Sequence, residues 1–336
     1  MFSLGGEGND MKERYWPLLL LSLSLIFIIL LSQFIITANG LNASVQKIKE
    51  NNRKSLESKV HLVLIAQEYN NPYWKAIKEG ALEAGKDLNI QVEYIGPLQS
   101  NMEEQLKLLE KSIASNVDGI IVQSLNNEKF TPLINKAMAK GIPVITIDTD
   151  APSSNRLSYV GTDNYFAGQQ LGNKVLKETR GRGKIGIIIG DITAENQKLR
   201  LNGFKSVIEK WDNMEVIEVL PSNISRIKAG QQAEKILRNH PEVSILVGTS
   251  VFDAVGILQA TENLNREDVQ IFGFDDIDDT LHAIKERMIV ATVVQKPYQI
   301  GYKSVSLMDD HFKGISIPTK AYTEITIIDS ADLNME

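Results

Sequence analysis

The body of the chain alternates short apolar runs with longer segments whose apolar residues recur every three or four positions. Runs of this length are typical of strands buried on both faces of a parallel sheet, and the longer pattern is typical of amphipathic helices. The predicted strands are 60–67, 90–95, 118–123, 142–148, 184–189, 215–220, 244–248, 269–274, 290–294 and 325–328. The predicted helices are 72–88, 102–114, 130–140, 165–178, 197–211, 227–239, 254–264 and 297–313.

This strand and helix pattern occurs twice in succession. The second copy starts with the helix predicted at 165–178, and the first crossover between the halves is expected near 161–163. No Pro/Gly-rich linker separates the two halves. Strands that alternate with helices over short loops imply right-handed crossovers and parallel sheets. The predicted fold class is therefore α/β, with two doubly wound parallel-sheet lobes.

The first forty residues are of a different kind. Leu18–Ile36 is apolar except for three serines and one glutamine, and it is about as long as a helix that crosses a bilayer. Lys12 and Arg14 precede it, and the positive-inside rule keeps that end in the cytoplasm. The chain after about residue 40 is therefore expected on the extracytoplasmic side of the cell membrane.

Two interpretations of this segment stay open. One is a signal anchor, in which 1–40 forms a cytoplasmic tip and a single transmembrane helix. The other is a signal peptide cleaved at the small residues 38–40, which would release a secreted body. The apolar run is longer than the usual signal-peptide core, which favours the anchor. Residues 41–58 are polar and charged and are predicted to form a linker.

The composition fits a globular body and excludes several classes of protein. Of the 336 residues, 43% are hydrophobic and 23% are charged, so a folded core is expected. The net charge of −6 argues against a nucleic-acid partner, because phosphate binding needs a basic surface. The chain has no cysteine, which excludes both a lipid-modified cysteine and a disulfide.

Polar side chains recur where the predicted strands end. After the strand 60–67, Asn71 and Pro72 open a helix that begins with Tyr73 and Trp74. The other examples are Gln123, Asp148, the run 191–196, Ser250, Asp275 and Gln295. One such residue alone would be interpreted as a helix cap, but parallel strands bring their carboxyl ends to one edge, where α/β folds bind ligands. Amides, carboxylates and aromatic rings together match a sugar or a cyclic polyol.

Catalytic, cofactor and metal motifs are weak. The sequence at 181–186 satisfies G-x-G-x-x-G, but it precedes a strand, whereas a phosphate-binding loop follows a strand and opens a helix. The four histidines share no metal-ligand spacing, and no nucleophile lies in an elbow motif. The sequence therefore predicts no cofactor, no metal and no enzyme activity.

Two further patterns leave alternatives. Asp275, Asp276, Asp278 and Asp279 resemble a calcium loop but lack its glycine and closing glutamate, so one carboxylate is expected to bind ligand and others to cap the next helix. A second hypothesis is an outward-facing enzyme acting on sugars, with Asp148 and Asp275 as its carboxylate pair. The missing catalytic motifs favour a binding protein.

Several short strings, in order along the body, carry a family resemblance. They are NNPYW (70–74), GIPVITID (141–148), VGTDN (160–164), RLNGF (200–204), FGFDD (272–276) and ATVVQKPYQIG (291–301). From about residue 60 to residue 328 the chain resembles the type I periplasmic sugar-binding proteins, especially the ribose-binding group. LacI-type repressors share that fold, but here a predicted membrane segment occupies the place of their DNA-binding helices.

The resemblance implies two lobes, joined by a three-crossover hinge, that close on a ligand between them. The implied N-terminal lobe is 59–162 with 296–324, and the implied C-terminal lobe is 163–295 with 325–336. By position, the resemblance assigns the ligand contacts of the first lobe to Asn71, Tyr73, Trp74, Gln123 and Asp148. It assigns those of the second lobe and hinge to Arg200, Ser250, Asp275 and Gln295.

Three positions depart from the ribose-binding pattern. Thr149 follows Asp148 where that pattern has an arginine, Ile224 replaces an aromatic residue, and Ser250 replaces an asparagine. These changes remove a guanidinium and an aromatic surface from the expected site. An unpaired hydroxyl in a dry cleft costs about 1–3 kcal/mol, so we expect the preferred sugar to change.

The resemblance also implies partners. Members of the family usually deliver a sugar to an ABC permease, which is one predicted partner. A membrane-anchored body would equally suit a sensory subunit that acts on a membrane histidine kinase. The anchor alone does not separate transport from sensing.

Overall fold

The computed structural model describes residues 21, 23–37, 40 and 59–333. The chain divides into two units, Met1–Lys59 and Val60–Glu336, and each is described separately. Residues 23–37 are helical, and their apolar side chains are exposed, as Phe27 and Phe34 illustrate. Within the described residues, no helix is both long and apolar enough to span a membrane. The predicted tip, the start of the predicted span, Ala38, Asn39 and the linker 41–58 lie outside the described residues.

The unit from Val60 consists of twelve strands and ten helices among its described residues. The strands are β1 (His61–Ile65), β2 (Gln91–Ile95), β3 (Gly119–Val122), β4 (Val144–Ile147), β5 (Ser158–Thr162), β6 (Gly183–Ile189), β7 (Met214–Pro221), β8 (Ile245–Gly248), β9 (Gln270–Phe274), β10 (Ala291–Val294), β11 (Lys320–Thr323) and β12 (Thr326–Asp329). The helices are α1 (Pro72–Asp87), α2 (Met102–Ala114), α3 (Asn127–Ala139), α4 (Asn164–Thr179), α5 (Glu195–Ile208), α6 (Arg226–Asn239), α7 (Asp253–Asn263), α8 (Asp278–Lys285), α9 (Pro297–Phe312) and α10 (Ser330–Leu333).

The strands form two six-stranded sheets, each the centre of one lobe. The first sheet has the order β11-β5-β4-β3-β1-β2 and the second has the order β12-β10-β9-β8-β6-β7. The chain passes between the sheets after β5, after β10 and after β11. The predicted α/β class with two doubly wound lobes is confirmed.

The one exception to parallel pairing is β12, which runs antiparallel to β10. The second sheet is therefore parallel except at this edge. The reason lies in the third crossover: β11 runs parallel to β5, so it ends at the carboxyl edge of the first sheet. The chain then enters the second sheet at its carboxyl edge, and β12 must run in the reverse direction.

Each sheet is covered by helices on both faces. In β1, Leu62 and Leu64 pack with α1 and α9 residues in one apolar cluster, whereas Val63 and Ile65 belong to a second cluster with α2 and α3. This alternation follows from the two-residue period of a strand. It explains why the predicted strands were continuous apolar runs.

Glycines let one helix pair in each lobe cross at very short range. A Cβ on Gly301 of α9 would lie 1.9 Å from the carbonyl oxygen of Ile77 in α1. A Cβ on Gly203 of α5 would lie 2.0 Å from the carbonyl oxygen of Tyr165 in α4. Side chains larger than hydrogen cannot occupy these positions without a shift of the backbone. The second crossing fixes the start of α5, which carries Arg200.

Candidate functional site

A cleft lies between the carboxyl edges of the two sheets. Together with the open solvent at its mouth, it has a volume of about 450 Å³. Its walls come from both lobes. The lining residues are Gln67, Asn71, Tyr73, Trp74, Gln123, Asp148, Asp191, Ala194, Asn196, Gln197, Arg200, Ile224, Ser250, Val251, Asp275 and Gln295.

The start of α1 brings three side chains to the cleft. Asn71 is the N-cap, and its Oδ1 accepts a hydrogen bond of 3.0 Å from the backbone N–H of Tyr73. Pro72 occupies the first turn, where a missing N–H has no cost. Trp74 is buried against the core of the first lobe and still lines the cleft. These residues therefore combine a structural role with a place in the wall.

Asp148 is the most heavily hydrogen-bonded carboxylate of the cleft. Its Oδ1 accepts from the Tyr73 hydroxyl at 2.8 Å. Its Oδ2 accepts from Gln123 Nε2 at 2.6 Å, from Thr149 Oγ1 at 3.1 Å and from Asn196 Nδ2 at 3.1 Å. Asn196 belongs to the second lobe, so this bond joins the two sides of the cleft. Burial, followed by the nearby Asp148 charge, raises the pKa of Tyr73 well above its usual value, which keeps that hydroxyl protonated as a donor.

Arg200 is held rigidly at the back of the cleft. Its Nε donates to Asn164 Oδ1 at 2.7 Å, its Nη1 to the Thr249 carbonyl at 2.8 Å and its Nη2 to Gln295 Oε1 at 2.8 Å. The guanidinium carbon lies 4.1 Å from the centroid of the Phe274 ring. A guanidinium has five N–H groups, so two remain for a ligand after these bonds.

Asp275 and Gln295 form the other side of this network. Gln295 Nε2 donates to Asp275 Oδ1 at 2.8 Å, and Gln295 Oε1 also accepts from Thr162 Oγ1 at 2.9 Å. Burial raises the pKa of Asp275 to about 6, although Arg200 and the Gln295 hydrogen bond act in the opposite direction. Oδ2 of Asp275 makes no hydrogen bond within the described residues, so it is available to a ligand.

Asp148 and Asp275 occupy equivalent places in the two lobes. Asp148 directly follows β4 and Asp275 directly follows β9, which are the fourth strands of their lobes. Both residues have left-handed backbone conformations, with φ of 57° and 67°. Aspartate tolerates this region better than most residues. The same local turn therefore delivers one carboxylate to the cleft from each lobe.

Ser250 stands on a loop that a buried carboxylate supports. The backbone N–H groups of Thr249 and Ser250 donate to Asp253 Oδ2 at 3.1 Å and 2.8 Å. Burial raises the pKa of Asp253 to about 6, against the lowering effect of the nearby Ser222 and Ser250 and of the two loop N–H groups. Ser250 Oγ and Gln123 Oε1 are buried without a hydrogen-bond partner among the described residues. Both of these residues line the cleft.

The structure brings every predicted site residue to this one cleft, while their role in ligand binding stays a prediction. Sequence reasoning missed several further residues. Gln67 accepts from Gln123 Nε2 at 3.1 Å, and Gln197 Oε1 accepts from the Thr249 hydroxyl at 2.6 Å. Asn196 belongs to the polar run that the sequence singled out, but the run alone did not indicate which of its residues reaches Asp148.

Two other sequence patterns are not part of the cleft's chemistry. The expectation that aspartates after Asp275 cap the next helix was wrong, because the N-cap of α8 is Ile277 and no side chain caps it. Asp279 instead pairs with Arg226 at 2.7 Å. The glycine motif at 181–186 lies in the turn and strand after α4, not at a helix start. Among the residues described, no cluster of potential metal ligands is found.

Comparisons with known proteins agree with the fold and the cleft. Residues 62–316 match the model of the periplasmic binding protein domain. The ribose import binding protein RbsB of Bacillus subtilis is 26% identical over 303 residues, which cover 88% of this chain and 97% of that protein.

Two solved structures are also similar. GanP, a glucose-galactose binding protein from Geobacillus stearothermophilus, has a TM-score of 0.81 and 41% identity, covering 83% of this chain and all of that chain. A chain of the XylFII-LytSN complex has a TM-score of 0.77 and 36% identity, covering 82% of this chain and 99% of that chain. RbsB and GanP are both described as sugar-binding proteins. The chain belongs to the periplasmic binding protein domain family, as a type I sugar-binding protein.

Proposed function

We propose that the cleft binds one neutral monosaccharide or related polyol and that the lobes close on it. The observation that carries this proposal is the pair of buried, unpartnered oxygens at Gln123 and Ser250. A buried polar atom without a partner costs about 1–3 kcal/mol, and a ligand hydroxyl can satisfy either oxygen. Because the two residues come from different lobes, a ligand that contacts both favours the closed arrangement.

The charge of the cleft supports a neutral ligand. Asp148, Asp191 and Asp275 line it, and Arg200 is the one basic side chain among the lining residues. An anionic ligand such as a sugar phosphate would meet more negative than positive charge in a partly desolvated site. A neutral sugar can instead donate hydroxyl protons to the carboxylates and accept from the guanidinium.

The connections between the lobes support a hinge. The chain crosses between the sheets three times, and the crossing segments lie beside Thr162, Gln295 and the start of β12. Few residues need to change their backbone angles for the lobes to rotate. Among similar proteins, GanP is described as a glucose-galactose binder and RbsB as a ribose binder, which supports the sugar class without choosing one sugar.

A thermal-shift screen tests the proposal. We would measure the melting temperature with pentoses, hexoses, inositols and, as anionic controls, sugar phosphates. A ligand at one hundred times its dissociation constant should stabilise the folded state by about 2.7 kcal/mol. We expect a neutral sugar to raise the melting temperature and its phosphate not to raise it. If no neutral sugar raised the melting temperature, the proposal would be contradicted.

We further propose that the protein is tethered at the cell membrane by Leu18–Ile36 and that its body faces the extracytoplasmic side. The apolar composition of this segment and the preceding Lys12 and Arg14 support the tether. Membrane fractionation of cells producing the whole chain and of cells producing 41–336 tests this. The whole chain should resist extraction by salt and the shorter chain should not, whereas a whole chain found only in the soluble fraction would refute the tether.

The proposed recipient of the sugar is an ABC permease, with a sensor kinase as the alternative. Import binding proteins among the relatives support the permease. One similar protein was solved in the XylFII-LytSN complex with a second protein, which supports the alternative. Affinity capture from membranes in the presence of the bound sugar should return one of the two classes, and the identity of that partner decides between transport and sensing.

A further inference from the structure

A second cavity lies beside the sugar cleft. Counted to the solvent at its mouth, it has a volume of about 620 Å³, and Asp148 and Asn196 line both cavities. We call it the side compartment. Its remaining walls come from both lobes and from the crossover segment 162–164.

The walls of the side compartment have the chemistry of a sugar site. Tyr159 and Tyr322 of the first lobe face it, with their rings nearly perpendicular and their centroids 6.1 Å apart. Tyr165 and Leu199 line it from the second lobe. Tyr322 is 44% exposed, because β11 alternates and buries Ala321 and Thr323 instead. Aromatic rings provide large rigid faces for the apolar side of a ligand. The Tyr159 hydroxyl already donates to the Asp148 carbonyl at 2.8 Å, so the Tyr322 hydroxyl is the one of the two that can hydrogen-bond a ligand.

Charged groups in the side compartment are also compatible with a neutral ligand. Asp150, Asp163 and Glu195 line it together with Lys320. Asp150 is neutralised by Arg156, whose Nη2 donates to Asp150 Oδ2 at 2.5 Å. The remaining carboxylates can accept hydrogen bonds from hydroxyl groups, and the lysine can donate to them.

A hydrogen bond joins the two residues that line both cavities. Asn196 Nδ2 donates to Asp148 Oδ2 at 3.1 Å, and both residues belong to both walls. If Asn196 turns away, Asp148 Oδ2 keeps its donors Gln123 and Thr149. The hydrogen bond between Asn196 and Asp148 can therefore break while the carboxylate stays hydrogen-bonded. A buried carboxylate left without any partner would be costly.

We infer that the side compartment is a subsite for the second unit of an O-linked sugar, such as a disaccharide. One ring occupies the cleft, the glycosidic oxygen passes between Asp148 and Asn196, and the second ring lies against Tyr322. This inference rests on the proposed function, since it places the first ring in the proposed cleft. It extends the ligand class from single sugars to glycosides.

Isothermal titration calorimetry on the full-length chain tests the inference. The probes are the best monosaccharide of the thermal-shift screen, its methyl glycosides and disaccharides that contain it. Tyr322→Ala removes a wall of the side compartment and leaves the cleft intact. Tyr298→Ala is the matched control, because Tyr298 is a similarly exposed tyrosine on α9 that lines neither cavity.

The wild-type chain should bind at least one disaccharide, and Tyr322→Ala should weaken that binding about 2- to 10-fold, the range of one aromatic contact. Tyr322→Ala should bind the monosaccharide with wild-type affinity. Tyr298→Ala should bind both the monosaccharide and the disaccharide with wild-type affinity. Leu199→Trp gives a second readout, since a larger side chain in the side compartment should abolish disaccharide binding and spare the monosaccharide.

The outcomes separate this inference from the proposed function. If the monosaccharide binds but neither methyl glycosides nor disaccharides do, the subsite is refuted and the proposed function stands. Disaccharide affinity that is the same in wild type, Tyr322→Ala and Leu199→Trp also refutes the subsite. If no sugar of either kind binds the wild-type chain, the proposed function itself fails.

Discussion

The acid–base behaviour of Asp275 gives a quantitative prediction for ligand binding. Burial raises its pKa to about 6, from an ordinary value of 3.8, and only 6% of the residue is exposed. Its Oδ1 is engaged by Gln295, so Oδ2 is the oxygen left for a ligand hydroxyl. If the ligand donates to Oδ2, binding requires the ionised carboxylate.

The size of the effect follows from the pKa. With a pKa of about 6, roughly nine-tenths of the carboxyl groups are ionised at pH 7 and roughly one-tenth at pH 5. The apparent dissociation constant should therefore rise about tenfold from pH 7 to pH 5. Asp275→Asn should weaken binding at pH 7 by about 10- to 100-fold, as expected for loss of a hydrogen bond to a charged group, and should show little further change with pH.

Isothermal titration calorimetry at pH 5, 6 and 7 measures this dependence for the wild type and Asp275→Asn. Asp253 has a similar pKa of about 6 and supports the Ser250 loop, so Asp253→Asn is the control that removes its titration. Equal affinity of the wild type at all three pH values would show that binding does not require ionised Asp275. Wild-type pH dependence in Asp275→Asn would show that another group titrates.

Three further changes test stability and the shape of the cleft. Because the pKa of Asp253 is raised on folding, folding takes up a proton between about pH 4 and pH 6. The protonated carboxyl therefore stabilises the fold at low pH. This stabilisation, roughly 3 kcal/mol, is lost as the pH rises through 6. Between pH 5 and pH 7 this loss amounts to about 1.3 kcal/mol, and Asp253→Asn should remove that part of the pH dependence in urea titrations at the two pH values. Gly203→Ala should lower the free energy of unfolding by about 1–3 kcal/mol, because its Cβ would lie 2.0 Å from a carbonyl oxygen, while Gly230→Ala, whose nearest atom is at 3.2 Å, should change it much less. Ile224 lines the cleft with a φ of 56°, so Ile224→Gly should weaken sugar binding without lowering the melting temperature; a lower melting temperature would contradict this account of strain.

The sequence predicted most of the fold because most strands are buried on both faces. Two strands escaped that pattern. β5 is fully buried, but its sequence SYVGT contains hydroxyl groups and does not look like a buried strand. These groups are hydrogen-bonded in the fold, as when Tyr159 donates to the Asp148 carbonyl at 2.8 Å. β11 is an edge strand that buries only alternate small residues. Neither forms the apolar run that predicts a strand.

The candidate site was predictable in outline for a different reason. Parallel strands place their carboxyl ends together, so polar residues that are distant in sequence meet at one edge. The partners within that edge depend on tertiary distances, which no local pattern specifies. The bond from Asn196 to Asp148 and the support of the Ser250 loop by Asp253 are of this kind. So is the N-terminus of α8, where Ile277 rather than an aspartate is the N-cap.

The proposed function depends on binding of a neutral sugar in the cleft by residues of both lobes. The most direct measurement is an isothermal titration of the wild-type chain with the neutral sugar that gives the largest thermal shift, repeated with Arg200→Met. Arg200→Met removes the guanidinium that joins the Thr249 carbonyl and Gln295. We expect saturable binding of one sugar per chain to the wild type and severe loss of affinity in the variant. Absence of saturable binding to the wild type, or equal affinity in Arg200→Met, would contradict this expectation.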